Sequence, residues 1–151
     1  MNSTPLLSWW LLLPFLPWAI ALFLIDARTS RLPNYLTLPA IPAAGLVPLA
    51  IPGANHWALL GGVVWWAVAF GLPLLHPRLL AGGGDAKLAL TTGTLAAIVA
   101  PLGAVAALGL SGVMHCFLRG GQRAGRDRAS PHGPAMLVAT GAVVVASLIF
   151  R

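Results

Sequence analysis

The candidate chemistry of this chain rests on its carboxylates, because it has very few of them. Only three residues in 151 are acidic: Asp26, Asp85 and Asp127. Two carboxylates held close together can share a proton, since repulsion between their charges raises the pKa of one and leaves the other ionised. The ionised group can then take a proton from water while the protonated group donates to a carbonyl oxygen, which is metal-free peptide hydrolysis. Asp26 and Asp85 are the candidate catalytic pair, with no fixed role for either, because such a pair titrates as a unit.

Each aspartate also has a simpler structural interpretation. Asp85 comes directly before an apolar run, where an aspartate commonly caps a helix. Asp26 is followed by Arg28 and Arg31, with which it could form an ion pair at the end of a helix. Their separation in the sequence does not show that the two aspartates meet, so both interpretations stay open on the residues alone.

The residues beside Asp85 indicate how a substrate could be held. Gly82, Gly83 and Gly84 precede it, and glycines let a substrate backbone approach closely. The helix that follows offers free backbone N–H groups in its first turn. Lys87 could stabilise ionised Asp85 or contact a lipid phosphate.

The composition indicates an integral membrane protein. The chain is 58% hydrophobic and 8% charged, whereas soluble domains carry about 25% charged residues. This deficit runs along the whole length, so residues 1–151 are expected to form a single membrane-embedded domain. The net charge of +6 favours a role in topology and in contact with the lipid bilayer over nucleic-acid binding. The single cysteine excludes an internal disulfide and a multi-cysteine zinc site, and no metal or cofactor is expected.

Six apolar runs predict an all-α fold of about six transmembrane helices joined by short loops. The runs are residues 6–25, 36–51, 57–75, 86–100, 104–118 and 134–150. A break at Pro101 separates the fourth run from the fifth, and merging them would give five helices. Gly61, Gly62 and the Gly/Ala surfaces of the last three helices are predicted to be close-packing faces.

The basic residues give this arrangement an orientation. Eight of the nine lysines and arginines fall on one side of the six-helix arrangement, which the positive-inside rule makes the cytoplasmic side, with both termini outside. Asp26 and Asp85 then share the cytoplasmic face. A five-helix arrangement would place the arginine-rich stretch, residues 119–128, opposite the other basic residues, which favours six.

Two motifs place the aspartates in a family context. Residues 26–39 read DARTSRLPNYLTLP and residues 82–88 read GGGDAKL. The first resembles a signature of the type IV prepilin peptidases, in which an aspartate precedes a basic stretch, an apolar residue and Pro-Asn. The second is similar to the Gly-x-Gly-Asp motif of the same family. Residues 130–135, SPHGPA, are similar to a weaker third segment that usually reads Pro-Tyr-Gly-Pro, with His132 in place of the tyrosine.

The resemblance implies a membrane aspartic endopeptidase in the inner membrane, with Asp26 and Asp85 as its catalytic residues. The implied substrate is a prepilin or pseudopilin, whose short basic leader is cut after a glycine at the cytoplasmic face. The candidate substrate-binding residues in the matching stretches are Gly82, Gly83, Gly84, Lys87, Pro33 and Asn34.

The chain departs from the long members of the family. Those members carry paired cysteines that bind zinc and support N-methylation of the new terminus, whereas this chain has one cysteine. A peptidase without methyltransferase activity is therefore expected. The chain looks like the short members that serve Flp-type (tight adherence) pili, although short type IV members also exist.

Two other functions remain open on the sequence. A small transporter or channel could use Asp26 and Asp85 as proton or cation sites, although a carrier would more naturally hold its acid near the middle of the membrane. An inactive assembly partner could keep the same fold, although both aspartates are intact. The arginine-rich stretch is either a solvated topology determinant or a docking surface for a pilus or secretion assembly protein.

Overall fold

In a computed structural model, the described part of the chain folds into six α-helices. The structure describes residues 10, 12–50, 56–75, 83–120 and 132–150. The helices are α1 (Phe15–Thr29), α2 (Asn34–Ala50), α3 (Ala58–Leu75), α4 (Gly83–Val99), α5 (Gly103–Gly120) and α6 (Gly133–Ile149). These residues contain no strand. The predicted all-α fold is confirmed, and so is the break at Pro101 between the fourth and fifth helices.

The lengths of these helices bear on the predicted transmembrane spans. The longest, α3 and α5, have 18 residues each. Across the residues that the structure describes, no helix is both long enough and apolar enough to cross a membrane.

Two helix ends differ from the predicted apolar runs in ways that affect the aspartates. α1 continues past Ile25 to Thr29, so Asp26 lies in its last turn rather than after it. α4 begins at Gly83, so Gly83 and Gly84 belong to its first turn rather than to a preceding loop. The apolar pattern misplaces both ends because it ends at the first charged or glycine residue, whereas the backbone hydrogen bonds of a helix continue past it.

α4 is the central helix, since it packs against α2, α3, α5 and α6. Eleven of its 17 residues are buried, and most of these are small. Small residues let helix backbones approach closely, which favours packing without large apolar side chains. The buried hydroxyls of Thr92 and Thr94 donate to the carbonyl oxygens of Leu88 and Leu90, at 2.9 and 2.8 Å.

The contact between α3 and α4 depends on glycine. A Cβ atom on Gly61 would lie 2.6 Å from the Cβ of Ala97, and one on Gly62 would overlap the backbone oxygen of Leu90. The predicted close packing at Gly61 and Gly62 is confirmed. It does not extend to every glycine of the later helices, because a Cβ on Gly109, Gly112 or Gly141 would meet nothing within 4 Å.

A tight connection joins α1 to α2 and brings their adjoining ends together. Ser30 adopts a left-handed conformation, with φ of 51°, and its N–H donates to the carbonyl oxygen of Asp26 at 2.7 Å. This arrangement ends α1 one turn after Asp26, as a left-handed residue commonly does at a helix C-terminus. Pro33 then precedes the first turn of α2, and the indole of Trp18 donates to the carbonyl oxygen of Leu36 at 2.9 Å.

Candidate active site

Four helix ends meet at one end of the bundle. They are the C-terminus of α1 and the N-termini of α2, α4 and α6, as their side-chain contacts show. Lys87 in α4 donates from Nζ to Oδ1 of Asn34 in α2, at 2.8 Å. Leu32, just before α2, lies against Gly84 of α4 and Gly133 of α6. The two candidate catalytic aspartates lie among these ends.

Asp26 is buried, with only 3% of its surface exposed. Its Oδ2 atom is inaccessible and makes no hydrogen bond of normal geometry within the described part of the chain. A Cβ atom on Gly133 would lie 2.5 Å from this oxygen, so the start of α6 leaves room for the carboxyl only because residue 133 has no side chain. Such burial disfavours the charged form of a carboxyl group.

Three effects set the pKa of Asp26. Removal from water by burial is the largest, and the negative charge of Asp85 adds to it. The nearby backbone N–H of Gly133 opposes both, because it favours the ionised form. Together they raise the pKa of Asp26 from 3.8 to about 6. A carboxyl with this pKa can hold or release a proton close to neutral pH, as proton transfer in catalysis requires.

Asp85 lies in the first turn of α4 and is half-buried. Its charge acts on Asp26, so the structure brings the two aspartates into one electrostatic environment although they are far apart in the sequence.

The candidate substrate-binding residues do not all occupy equivalent positions. Gly83 is exposed, and a Cβ atom there would meet nothing within 4 Å, so its backbone is accessible. A Cβ on Gly84 would lie 2.9 Å from the Cβ of Leu32, so the space beside Gly84 is taken by this chain itself. Gly82 lies outside the described residues.

Two of the remaining candidates, Lys87 and Asn34, join α4 to α2. The exposed hydrogen bond between Lys87 and Asn34 was not predicted as a pair. Pro33 lies just before α2, where its carbonyl oxygen accepts from the backbone N–H of Thr37 at 3.1 Å. The four helix ends and the side chains between them are called the cluster below. Lys87 and Asn34 lie at its edge, where an approaching peptide could reach them.

Two residues of this cluster, Leu32 and Gly133, were not identified from the sequence. Gly133 belongs to the third motif, residues 130–135, which was the weakest of the three. The signal that could have identified it is a glycine at a predicted helix start, a position that often accommodates a close approach. Leu32 is the apolar residue of the first motif, residues 26–39, but the motif does not indicate its contacts with Gly84 and Gly133.

Comparison with known proteins assigns the chain to a family. A family model described as the type IV leader peptidase family matches residues 13–119. Comparisons with curated proteins and with solved structures find no significant match. The matched region contains Asp26 and Asp85, ends before Gly133, and spans more than two thirds of the chain. The chain therefore belongs to the type IV leader peptidase family.

Proposed function

We propose that this chain is a membrane aspartic endopeptidase that removes the leader of a prepilin or pseudopilin, with Asp26 and Asp85 as a proton-sharing catalytic pair. The observation that carries the proposal is the state of Asp26. It is 3% exposed, and burial and the charge of Asp85 raise its pKa to about 6. Membership of a peptidase family supports the same chemistry.

The proton inventory of the reaction follows from this pair. With one proton shared between the two carboxyls, burial of Asp26 favours the proton on Asp26, and Asp85 is the ionised partner. Asp85 takes a proton from a water molecule as its oxygen attacks the scissile carbonyl carbon, while Asp26 donates its proton to the carbonyl oxygen. When the carbon–nitrogen bond breaks, Asp85 gives its proton to the departing amine and Asp26 recovers one from the new carboxyl group. The pair is thereby returned to its starting state.

The edge of the cluster supports binding of an extended peptide. Gly83 has an accessible backbone at the first turn of α4, whose N–H groups have no partner within the helix. Lys87 and Asn34 present an ammonium and an amide on the same edge. These groups can hold the main chain of a substrate next to the aspartates.

The proposal includes a location in the inner membrane, with the aspartates facing the cytoplasm and both termini outside. It rests on the low charged fraction of 8% and on the one-sided distribution of basic residues. Many large apolar side chains are also exposed, among them Phe70, Leu74 and Phe117. With a single cysteine, the chain is proposed to lack methyltransferase activity and to serve an Flp-type pilus.

The test is co-expression of the chain with candidate prepilins and detection of leader removal on a gel. Asp26→Asn and Asp85→Asn keep the shape of each side chain but remove its ionisation, so each should abolish cleavage. Loss of a group in such a pair costs on the order of a thousandfold or more in rate. The matched control is Asp127→Asn, which changes the third acidic residue and should cleave at the wild-type rate.

The protein level in the membrane fraction must be the same for all variants. Continued cleavage by either Asp26→Asn or Asp85→Asn would exclude the pair as the catalytic centre. If the wild-type chain cleaves no prepilin, yet both variants abolish proton or cation uptake into vesicles, the transporter interpretation would replace this one.

A further inference from the structure

Two histidines lie beside the cluster without being part of it. His115 is on α5, and His132 is the residue just before α6. Their ring centroids are 4.1 Å apart and their planes make an angle of 79°, so the edge of one ring meets the face of the other. The contact joins α5 to the start of α6 on either side of residues 121–131. Aromatic pairs prefer this edge-to-face arrangement, which fixes the orientation of both rings.

His132 is held through its backbone as well as through its ring. Its carbonyl oxygen accepts from the N–H of Met136 at 3.2 Å, as the first hydrogen bond of α6. Its side chain makes no capping hydrogen bond to α6, and its ring contacts that of His115. The Nδ1 atom of His115 is fully buried, while both histidines as a whole are half-buried.

The next residue, Gly133, is the one whose backbone approaches Asp26. The N–H of Gly133 belongs to the peptide bond that joins it to His132, so the position of His132 fixes the position of that N–H. We propose that His115 and His132 form a positioning pair that holds the backbone of Gly133 against the carboxyl group of Asp26. The inference rests on the proposed function, since it concerns the same carboxyl. Neither histidine is proposed to touch the substrate.

The test replaces the ring while keeping its volume. His132→Leu and His115→Leu should each lower kcat about tenfold to a hundredfold, because displacement of a catalytic group by about 1 Å has effects of this size. KM should not change. His132→Tyr keeps an aromatic edge and should restore most of kcat. His56→Ala, at an exposed turn before α3, is the matched histidine control and should behave as wild type.

The pH profile separates positioning from a general loss of structure. Displacement of the Gly133 N–H removes an interaction that favours ionised Asp26, so the pKa of Asp26 should rise. The pH at which kcat falls on the alkaline side should therefore increase by about half a unit. Among the residues that the structure describes, the other charged groups at this end are Arg28, Arg31, Asp85 and Lys87, with His115 and His132 beside them. The histidine variants should therefore show the same shift in the pH dependence of their melting temperature. The shift should disappear when Asp26→Asn is combined with them.

The outcomes are distinct. If both leucine variants keep the wild-type kcat and the wild-type pH profile, the positioning pair is wrong and the proposed function is unaffected. A lower kcat with an unchanged pH profile would also overturn the positioning pair, because that result indicates a general loss of stability. If the wild-type chain cleaves no prepilin, the proposed function fails, and the melting profile of His132→Leu with and without Asp26→Asn still decides the inference.

Discussion

At the scale of single residues, the site depends on the close approach of the Asp26 carboxyl group to Gly133, which has no side chain. Oδ2 of Asp26 and the Cα of Gly133 are so close that a methyl group at residue 133 would lie 2.5 Å from the oxygen. A carboxyl group that is buried this closely has little freedom to relax. The spacing therefore fixes the orientation of Asp26, while its burial disfavours ionisation.

Gly133→Ala is expected to reduce cleavage severely, because the added methyl group must displace either Asp26 or α6. Overpacking of this kind costs about 1–3 kcal/mol in stability. Because the carboxyl group of Asp26 is displaced, the kcat of the variant should fall tenfold or more. Gly141→Ala is the matched control, since it lies in the same helix and its Cβ would meet nothing within 4 Å. Equal cleavage rates for the two variants would contradict the contact between Gly133 and Asp26.

The raised pKa of Asp26 also predicts how stability depends on pH. In the window from 3.8 to about 6 the folded state holds a proton that the unfolded state has released, so stability should fall as pH rises through that window and stay level above it. Since one pKa unit is about 1.4 kcal/mol, the cost at neutral pH is up to about 3 kcal/mol.

Asp26→Asn cannot ionise, so it should melt at a higher temperature than wild type at pH 7, and the difference should vanish below about pH 4. Thermal unfolding of the purified protein in detergent at several pH values measures this. A variant that melts below wild type at neutral pH would show that the carboxylate is stabilised rather than penalised in the folded state.

The sequence predicted the two aspartates but only part of what surrounds them. Both lie in motifs with a chemical rationale, and scarcity of carboxylates directs attention to them. Gly133 and Leu32 lie in the third and first motifs, but they were not predicted as site residues because their contacts join segments far apart in the chain. The hydrogen bond between Lys87 and Asn34 was not predicted for the same reason, although each residue was predicted separately as a candidate for substrate binding.

At the scale of elements, the helices were predictable and their ends were not. The breaks at Pro101 and at the charged residues after α1 follow from apolar runs and from residue types that interrupt a helix. The burial of α4 on nearly all sides was not visible, because its apolar and small residues show no periodic face. Its central position emerges only when the other helices are packed around it.

The glycines of α3 allow a sharp test of this packing. Gly62→Ala should destabilise the protein by about 1–3 kcal/mol, because the new methyl group overlaps the backbone oxygen of Leu90 and the hydroxyl of Thr94. In the same helix, the new Cβ atom of Gly71→Ala would have no neighbour within 4 Å. This substitution should be neutral or should stabilise the protein by up to about 1 kcal/mol. Melting temperatures of the two variants compare them directly, and a larger loss for Gly71→Ala would refute the assigned α3–α4 contact.

At the scale of the whole molecule, the proposed orientation is testable by labelling. Cys116→Ser removes the only cysteine, and new cysteines can then be placed at Asn55 or Arg128. A membrane-impermeant maleimide added to intact cells should label the Asn55→Cys protein and leave the Arg128→Cys protein unlabelled until the cells are opened, because the arginine-rich stretch is predicted to be cytoplasmic. The reverse pattern would invert the proposed topology and place the aspartates outside.

Leu32 gives the fold an evolutionary constraint. This one side chain touches the positions where a Cβ atom on Gly84 and on Gly133 would lie, at 2.9 and 3.4 Å. A side chain at residue 84 would press against the Cβ of residue 32, which every residue except glycine carries, and a side chain at residue 133 would press mainly against Asp26. Substitution of Leu32 alone therefore gives no room for a larger residue at 84 or 133, and both positions are expected to stay glycine in chains that keep this packing and the buried aspartate.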